Sequence, residues 1–180
     1  MRTGKEIASK IAAEEKEMLA NMDEQAFDRL IERILSARRI FAFGAGRSAL
    51  ILRAFAMRLM QMGFSCFAVG DVTTPAIGEG DLLILGSGSG ETEGVLRAAE
   101  RAQSAKATVF AVTMREASRL FAIANDAIVL PGENDKNALG ATAFEGAMLL
   151  VFDAAIEALI ERKPIPDAGG LLRRNHANLE

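Results

Sequence analysis

Leu82-Leu83-Ile84-Leu85-Gly86-Ser87-Gly88-Ser89-Gly90-Glu91-Thr92 is the stretch that decides how this chain is read. The apolar run 82–85 has the composition of a buried strand, and residues 91–105 suit a helix. Between them lies a turn of glycines and serines only. Glycine reaches backbone conformations that a Cβ forbids, so successive N–H groups can converge on one point. The first N–H groups of a helix lack internal partners and sit at the positive end of its dipole. An anion placed there accepts hydrogen bonds from Ser87, Ser89, Thr92 and the intervening amides, those of Gly88 and Gly90 among them. A plain capped turn needs one glycine and one hydroxyl, whereas here they alternate throughout. The turn therefore reads as a phosphate cradle.

Working outward, the same strand-then-helix pattern recurs. Toward the N-terminus, Arg39 to Phe43 is a short strand ending in Gly44-Ala45-Gly46-Arg47-Ser48. A helix from Ser48 to Met62 follows, with Leu50, Ile51, Ala54, Phe55 and Leu59 on one broad apolar face and Gly63 as its stop. Phe64 to Val69 is a further strand, and 70–80 a loop containing Pro75. Ahead of these lie two helices, 4–21 with a thin apolar stripe and 24–37 capped by Asp23, with Met22 and Phe27 placed as a hydrophobic staple. Toward the C-terminus come a strand at 108–112, a short helix at 118–124 and a strand at 127–130. A strongly helical segment, Thr142 to Arg162, ends at Pro164 and Pro166, and the tail has little pattern. Apolar strands alternating with amphipathic helices predict a five-stranded parallel sheet inside a doubly wound three-layer α/β/α sandwich. Residues 1–180 then form one domain, with N-terminal helices over about 4–37 and a tail over about 164–180. In such folds ligands bind beyond the carboxyl ends of the strands, where both glycine-serine loops lie.

Composition narrows the function classes. The 180 residues are 50% hydrophobic and 25% charged, with a net charge of -3. An acidic chain is a poor general binder of nucleic acid. One cysteine, Cys66, excludes an internal disulfide, and a buried small apolar residue is its simplest reading. No leader pattern opens the chain and no run approaches a membrane span, which fits a cytoplasmic protein. A single histidine and a single cysteine leave no transition-metal cluster, so no metal is expected.

Several residues stand out singly. Gly44-x-Gly46-x-x-Ala49 fits the dinucleotide fingerprint, with Asp71 after the next strand. A nicotinamide enzyme also needs a catalytic domain for which no residues remain, and the fingerprint leaves the second loop unexplained. A joint sugar-phosphate site accounts for both loops. Arg47 reads equally as a clamp on phosphate or carbonyl oxygen and as a solvated arginine opening a helix. Glu145, among Ala141, Ala143, Phe144, Ala147 and Met148, is either a proton-transfer group facing a cleft or a first-turn carboxylate complementing the dipole. His176 is either a proton shuttle or an exposed tail residue. With Arg173 and Arg174 it forms a basic run that suits a solvated face or a neighbouring subunit's anion site.

At these residues the chain resembles the sugar isomerase (SIS) domain family. It resembles most the 6-phospho-3-hexuloisomerases, also called 3-hexulose-6-phosphate isomerases. The likeness runs through 44–48, 87–92, Phe55-Ala56-Met57-Arg58-Leu59-Met60, Thr74-Pro75-Ala76-Ile77, Leu139-Gly140-x-x-x-Phe144-Glu145 and the ending from His176. The final Leu179-Glu180, a common tag scar, carries no weight. The resemblance implies cofactor-free interconversion of D-arabino-hex-3-ulose 6-phosphate and fructose 6-phosphate. It implies homodimers or homotetramers with sites near subunit interfaces. It gives Ser48, Ser87, Ser89 and Thr92 to the phosphate and Glu145 to the base, and matches His176 to a histidine near the end of the chain; Gly46, Gly88 and Gly90 are expected to complete the phosphate site, and Arg47 to stabilise an enediolate. Leu85-Gly86 departs from the more usual polar or small pair before the turn. A non-catalytic sugar-phosphate sensor and a phosphoheptose-type isomerase are the alternatives.

Overall fold

A computed structural model describes residues 1–132, 142–162 and 167–178. The expectations for Leu139-Gly140, Ala141, Pro164, Pro166 and Leu179-Glu180 lie outside those residues. The chain opens with α1 (Gly4–Ala20) and α2 (Glu24–Ser36), followed by β1 (Ile40–Gly44), α3 (Gly46–Gln61) and β2 (Cys66–Ala68). Then come β3 (Leu82–Gly86), α4 (Glu93–Ser104), β4 (Thr108–Thr113), α5 (Arg119–Ile123) and β5 (Asp126–Val129). The described part closes with α6 (Thr142–Arg162) and α7 (Ala168–Arg174).

All four strand pairings are parallel, in the order β2-β1-β3-β4-β5. Successive side chains along a strand face opposite sides, and the core divides accordingly. Ile40, Ala42, Leu82, Ile84, Phe110 and Val112 meet α2, α3 and α6 on one face. Phe41, Leu83, Leu85, Val109 and Ala111 meet α4 and α5 on the other. This is the expected three-layer sandwich. Among the described residues no helix is long and apolar enough to cross a membrane.

Local chemistry sets most boundaries. Asp23 caps α2 by accepting from the Gln25 amide at 3.0 Å, and Met22 and Phe27 lie half-buried against the same core. Two helices depart from expectation. The tail contains α7, whose N-cap Asp167 accepts from the Gly170 amide at 2.9 Å. The apolar face of α3 is also not the expected one. Leu52, Phe55, Ala56 and Leu59 are buried, whereas Leu50 is 64% exposed. A helix apolar all round gives no periodicity from which to choose its buried side.

At the amino ends of the strands, Asp81 is 1% exposed and binds Arg39 at 2.6 Å, Arg38 at 3.2 Å and the Gly78 amide at 2.8 Å. These partners satisfy a carboxylate that would be costly to bury alone.

Candidate active site

Gly44 and Gly86 are register partners in β1 and β3, so the two glycine-serine loops leave adjacent strands at one level. Between β1 and β3 the strand order reverses, which opens a crevice at their carboxyl ends. Two helices begin there. α3 starts at Gly46, ahead of its expected start, with Ala45 at the N-cap position and no side-chain cap. α4 starts at Glu93, and its N-cap Thr92 also makes no side-chain cap bond. By contrast Thr3, Asp23, Ser118 and Asp167 all cap their helices. The two N-termini facing the crevice thus leave amides for an anion to satisfy.

The second loop is braced from behind. Its Gly88 carbonyl accepts from the Met114 amide at 3.1 Å, and its Gly90 carbonyl from the Leu120 amide at 3.0 Å. In a trans peptide C=O and N–H point oppositely, so tying the Gly88 carbonyl to β4 turns the Ser89 amide away from that strand. Gly90 has φ +68, and a Cβ there would lie 2.3 Å from Ser118 Oγ, so only glycine fits. Ser87 Oγ lies 2.9 Å from Thr92 Oγ1 and accepts from the Gly90 amide at 3.2 Å. Ser89 Oγ accepts from the Glu91 amide at 3.2 Å. The loop hydroxyls therefore hold the turn in shape, while Ser89 and one member of the Ser87–Thr92 pair keep a proton to donate.

Glu145 lies in the first turn of α6 and is 8% exposed. Arg47 Nε is 3.0 Å from its Oε2, and Ser48 Oγ lies 3.5 Å from Oε1. Arg47 Nη1 also donates to Thr142 Oγ1 at 3.2 Å, while the Arg47 side chain stays 58% exposed. A cation at the rim thus joins the buried carboxylate to the opening. Gly86 explains how α6 comes so close: a Cβ there would lie 2.8 Å from Met148 Sδ and 2.9 Å from Leu52 Cδ1. Met148 is three residues beyond Glu145, about one helical turn. The glycine before the Ser-Gly turn is thus the close-approach point for α3 and α6.

His176 is not part of this cluster within one chain. It is exposed, with Nδ1 3.1 Å from the Ala177 carbonyl. The preceding Asn175 donates from Nδ2 to the Gln61 carbonyl at 2.9 Å, at the far end of α3 from Ser48. Thirteen residues of helix separate Ser48 from Gln61, about 20 Å at 1.5 Å per residue. The arginines of the basic run, Arg174 and Arg173, both turn back to the Asp167 carboxylate, at 3.3 Å and 4.0 Å.

Two participants escaped the sequence reading. Thr142 has no role there beyond opening a helix, and the Thr113–Leu120 segment that braces the loop reads only as a connection running into a short helix. For the segment the signal is positional, since it leaves the carboxyl end of β4. Asp71, part of the fingerprint reading, pairs with Arg53 at 2.5 Å. Burial pushes the Cys66 thiol up to about 12, which leaves it a poor nucleophile. Among the described residues no group of three His, Cys, Asp or Glu is placed to hold a metal ion.

Comparison with known proteins agrees with this geometry. The SIS domain pattern matches residues 33–158. A 3-hexulose-6-phosphate isomerase of Bacillus subtilis is 38% identical over 97% of this chain and 98% of its own. One from Methanocaldococcus jannaschii is 40% identical over 84% of this chain and 83% of its own. A crystal structure of a Methanococcus jannaschii protein, for which a 3-hexulose-6-phosphate isomerase function was inferred, superposes with a TM-score of 0.88. It is 34% identical and covers 97% of this chain and 99% of its own. On the strength of this domain match and these relatives, the chain belongs to the SIS domain family, in the group of the 3-hexulose-6-phosphate isomerases.

Proposed function

We propose that this chain interconverts D-arabino-hex-3-ulose 6-phosphate and D-fructose 6-phosphate, as a keto-shifting isomerase of the ribulose monophosphate pathway of formaldehyde fixation, acting in the cytoplasm as a homo-oligomer. The observation that carries the reading is the nearly buried Glu145 carboxylate, held by Arg47 and Ser48 beside two uncapped helix N-termini.

The substrate ketone is at C3 and the product ketone at C2. Glu145 removes the C2 proton to give a 2,3-enediolate, and the carbon proton returns at C3. Arg47 puts a permanent positive charge where the enediolate charge develops. His176 moves the proton between O2 and O3, which requires the histidine of another subunit given its distance from Glu145 in its own chain. Ser48, Ser87, Ser89 and Thr92, with the amides around Gly46, Gly88 and Gly90, hold the phosphate. With O6 esterified, a five-membered ring cannot close on C3, so the 3-ketose reacts open-chain. The fructose 6-phosphate direction first needs its ring opened, a step also assigned to His176.

A direct test offers the six-carbon 3-ketose 6-phosphate and sedoheptulose 7-phosphate separately and compares kcat/KM. Turnover of the six-carbon sugar with little of the other is expected. Preference for the seven-carbon sugar, or binding of both without conversion, would contradict the reading.

A further inference from the structure

We propose that this chain has a second binding site, apart from the crevice, which takes an aryl carboxylate: a flat apolar body of one or two rings bearing a single carboxylate. The site does not depend on the isomerase reading. It is a cavity of about 360 Å³ on the α4 face of the sheet. The crossover from β1 to β2 places α3 on one face, so the return from β2 to β3 passes over the other. A helix normally fills that place in a doubly wound sheet, but residues 69–81 form none. Phe41, Phe43 and Leu83, which face that side from β1 and β3, are therefore roofed by a loop. Pro75 and Ile77 of the loop close one side of the cavity, and α4 closes the other.

The roof is fixed in place. Thr74 Oγ1 donates to the Ala68 carbonyl at 2.9 Å, Arg39 donates to the Ala76 carbonyl at 2.9 Å, and the Gly78 amide donates to the Asp81 carboxylate at 2.8 Å. The cavity is thus preformed, with a volume in the range of small-ligand pockets. α4 turns Gly94, Arg97, Ala98 and Arg101 toward it, one stripe at helical spacing. Gly94 leaves an opening, since a Cβ there would meet nothing within 4 Å. Charge and polarity then select the occupant. Arg97 and Arg101 stand about one turn apart, and among the described residues no acidic side chain lines the cavity. Arg97 reaches only Glu93, at 3.9 Å, and Arg101 pairs with no described carboxylate. Two guanidiniums beside an apolar floor suit a carboxylate whose rings rest on Phe41 and Phe43. A sugar phosphate does not fit, because the one hydroxyl in the lining, that of Thr74, already donates to Ala68. Its own hydroxyls would be buried there without partners. Glu145 belongs to α6, which packs on the opposite face, so both sites can fill together.

The test titrates the full chain with naphthalene-2-carboxylate in a calorimeter. One site per chain is expected, with an affinity that saturating fructose 6-phosphate leaves unchanged. No binding at millimolar probe would overturn the proposal, and displacement by the sugar phosphate would do so by moving the probe to the crevice. Naphthalene-2-carboxamide has the same body without the charge and should bind at least about tenfold more weakly. The acid should lose a similar factor on Arg97→Gln/Arg101→Gln, two changes at exposed positions. Equal affinity in either comparison would overturn the selection of a carboxylate by these arginines. Gly94→Leu puts a side chain into the opening and should abolish binding; undiminished binding would place the probe elsewhere and overturn the site. Should that variant misfold, the arginine pair decides.

Discussion

Glu145 is nearly buried and held on both oxygens, so in the proposed reaction the carboxylate would meet the substrate carbon with little reorganisation. Glu145→Gln keeps that shape and removes the base. Steady-state kinetics should show kcat reduced by about 10²–10⁴ with KM little changed. Near-wild-type kcat would take the base away from Glu145. The proposed cradle differs, because the phosphate it would hold takes no part in the reaction. A hydrogen bond to a charged group contributes about 1.5–3 kcal/mol, so Ser87→Ala with Ser89→Ala should raise KM at least tenfold. An unchanged KM would show that the phosphate sits elsewhere. Glu145 and the cradle hydroxyls were legible in the sequence because each breaks its surroundings, a carboxylate among apolar residues and glycines alternating with serines. Thr142 was not, since a hydroxyl opening a helix has a sufficient local explanation until Arg47 is seen beside it.

Among the elements, the strands were the most legible, because fully buried parallel strands are nearly continuous apolar runs. The helices divide by how much their pattern contains. The buried side of α2 follows from its spacing, with Leu30, Ile31 and Ile34 all inaccessible. α3 is apolar on two sides, and which side meets the sheet is a tertiary fact. α7 has two glycines in seven residues and no strong periodicity, so its helix depends on the Asp167 cap and on docking against α3. The Asp81 cluster gives a test at this scale. Burial alone would raise the Asp81 carboxyl, but bonds from Arg39, the Gly78 amide and Arg38 outweigh it and hold the group below its ordinary 3.8. A lowered folded value stabilises fully above the ordinary one, and the stabilisation is lost as pH falls through the folded value. Asp81→Asn should therefore cost about 3 kcal/mol or more at pH 7, measured by urea unfolding. The gap to wild type should narrow as pH falls below about 4. A gap that is constant across that range would mean the charge contributes nothing.

For the whole molecule, strand order does most to create function. The reversal between β1 and β3 brings together loops more than forty residues apart, and α6 returns over the same crevice with Glu145. Alternating strands and helices made the sandwich readable in advance. A cradle for the ester at one end of the sugar and a base at the other predict proton exchange at carbon without any redox partner. The most direct test follows fructose 6-phosphate in deuterated water by NMR. Deuterium should enter at C3 of fructose 6-phosphate in the presence of the wild-type protein, and not with Glu145→Gln. Absence of label with the wild-type protein, or equal labelling by the variant, would contradict the account.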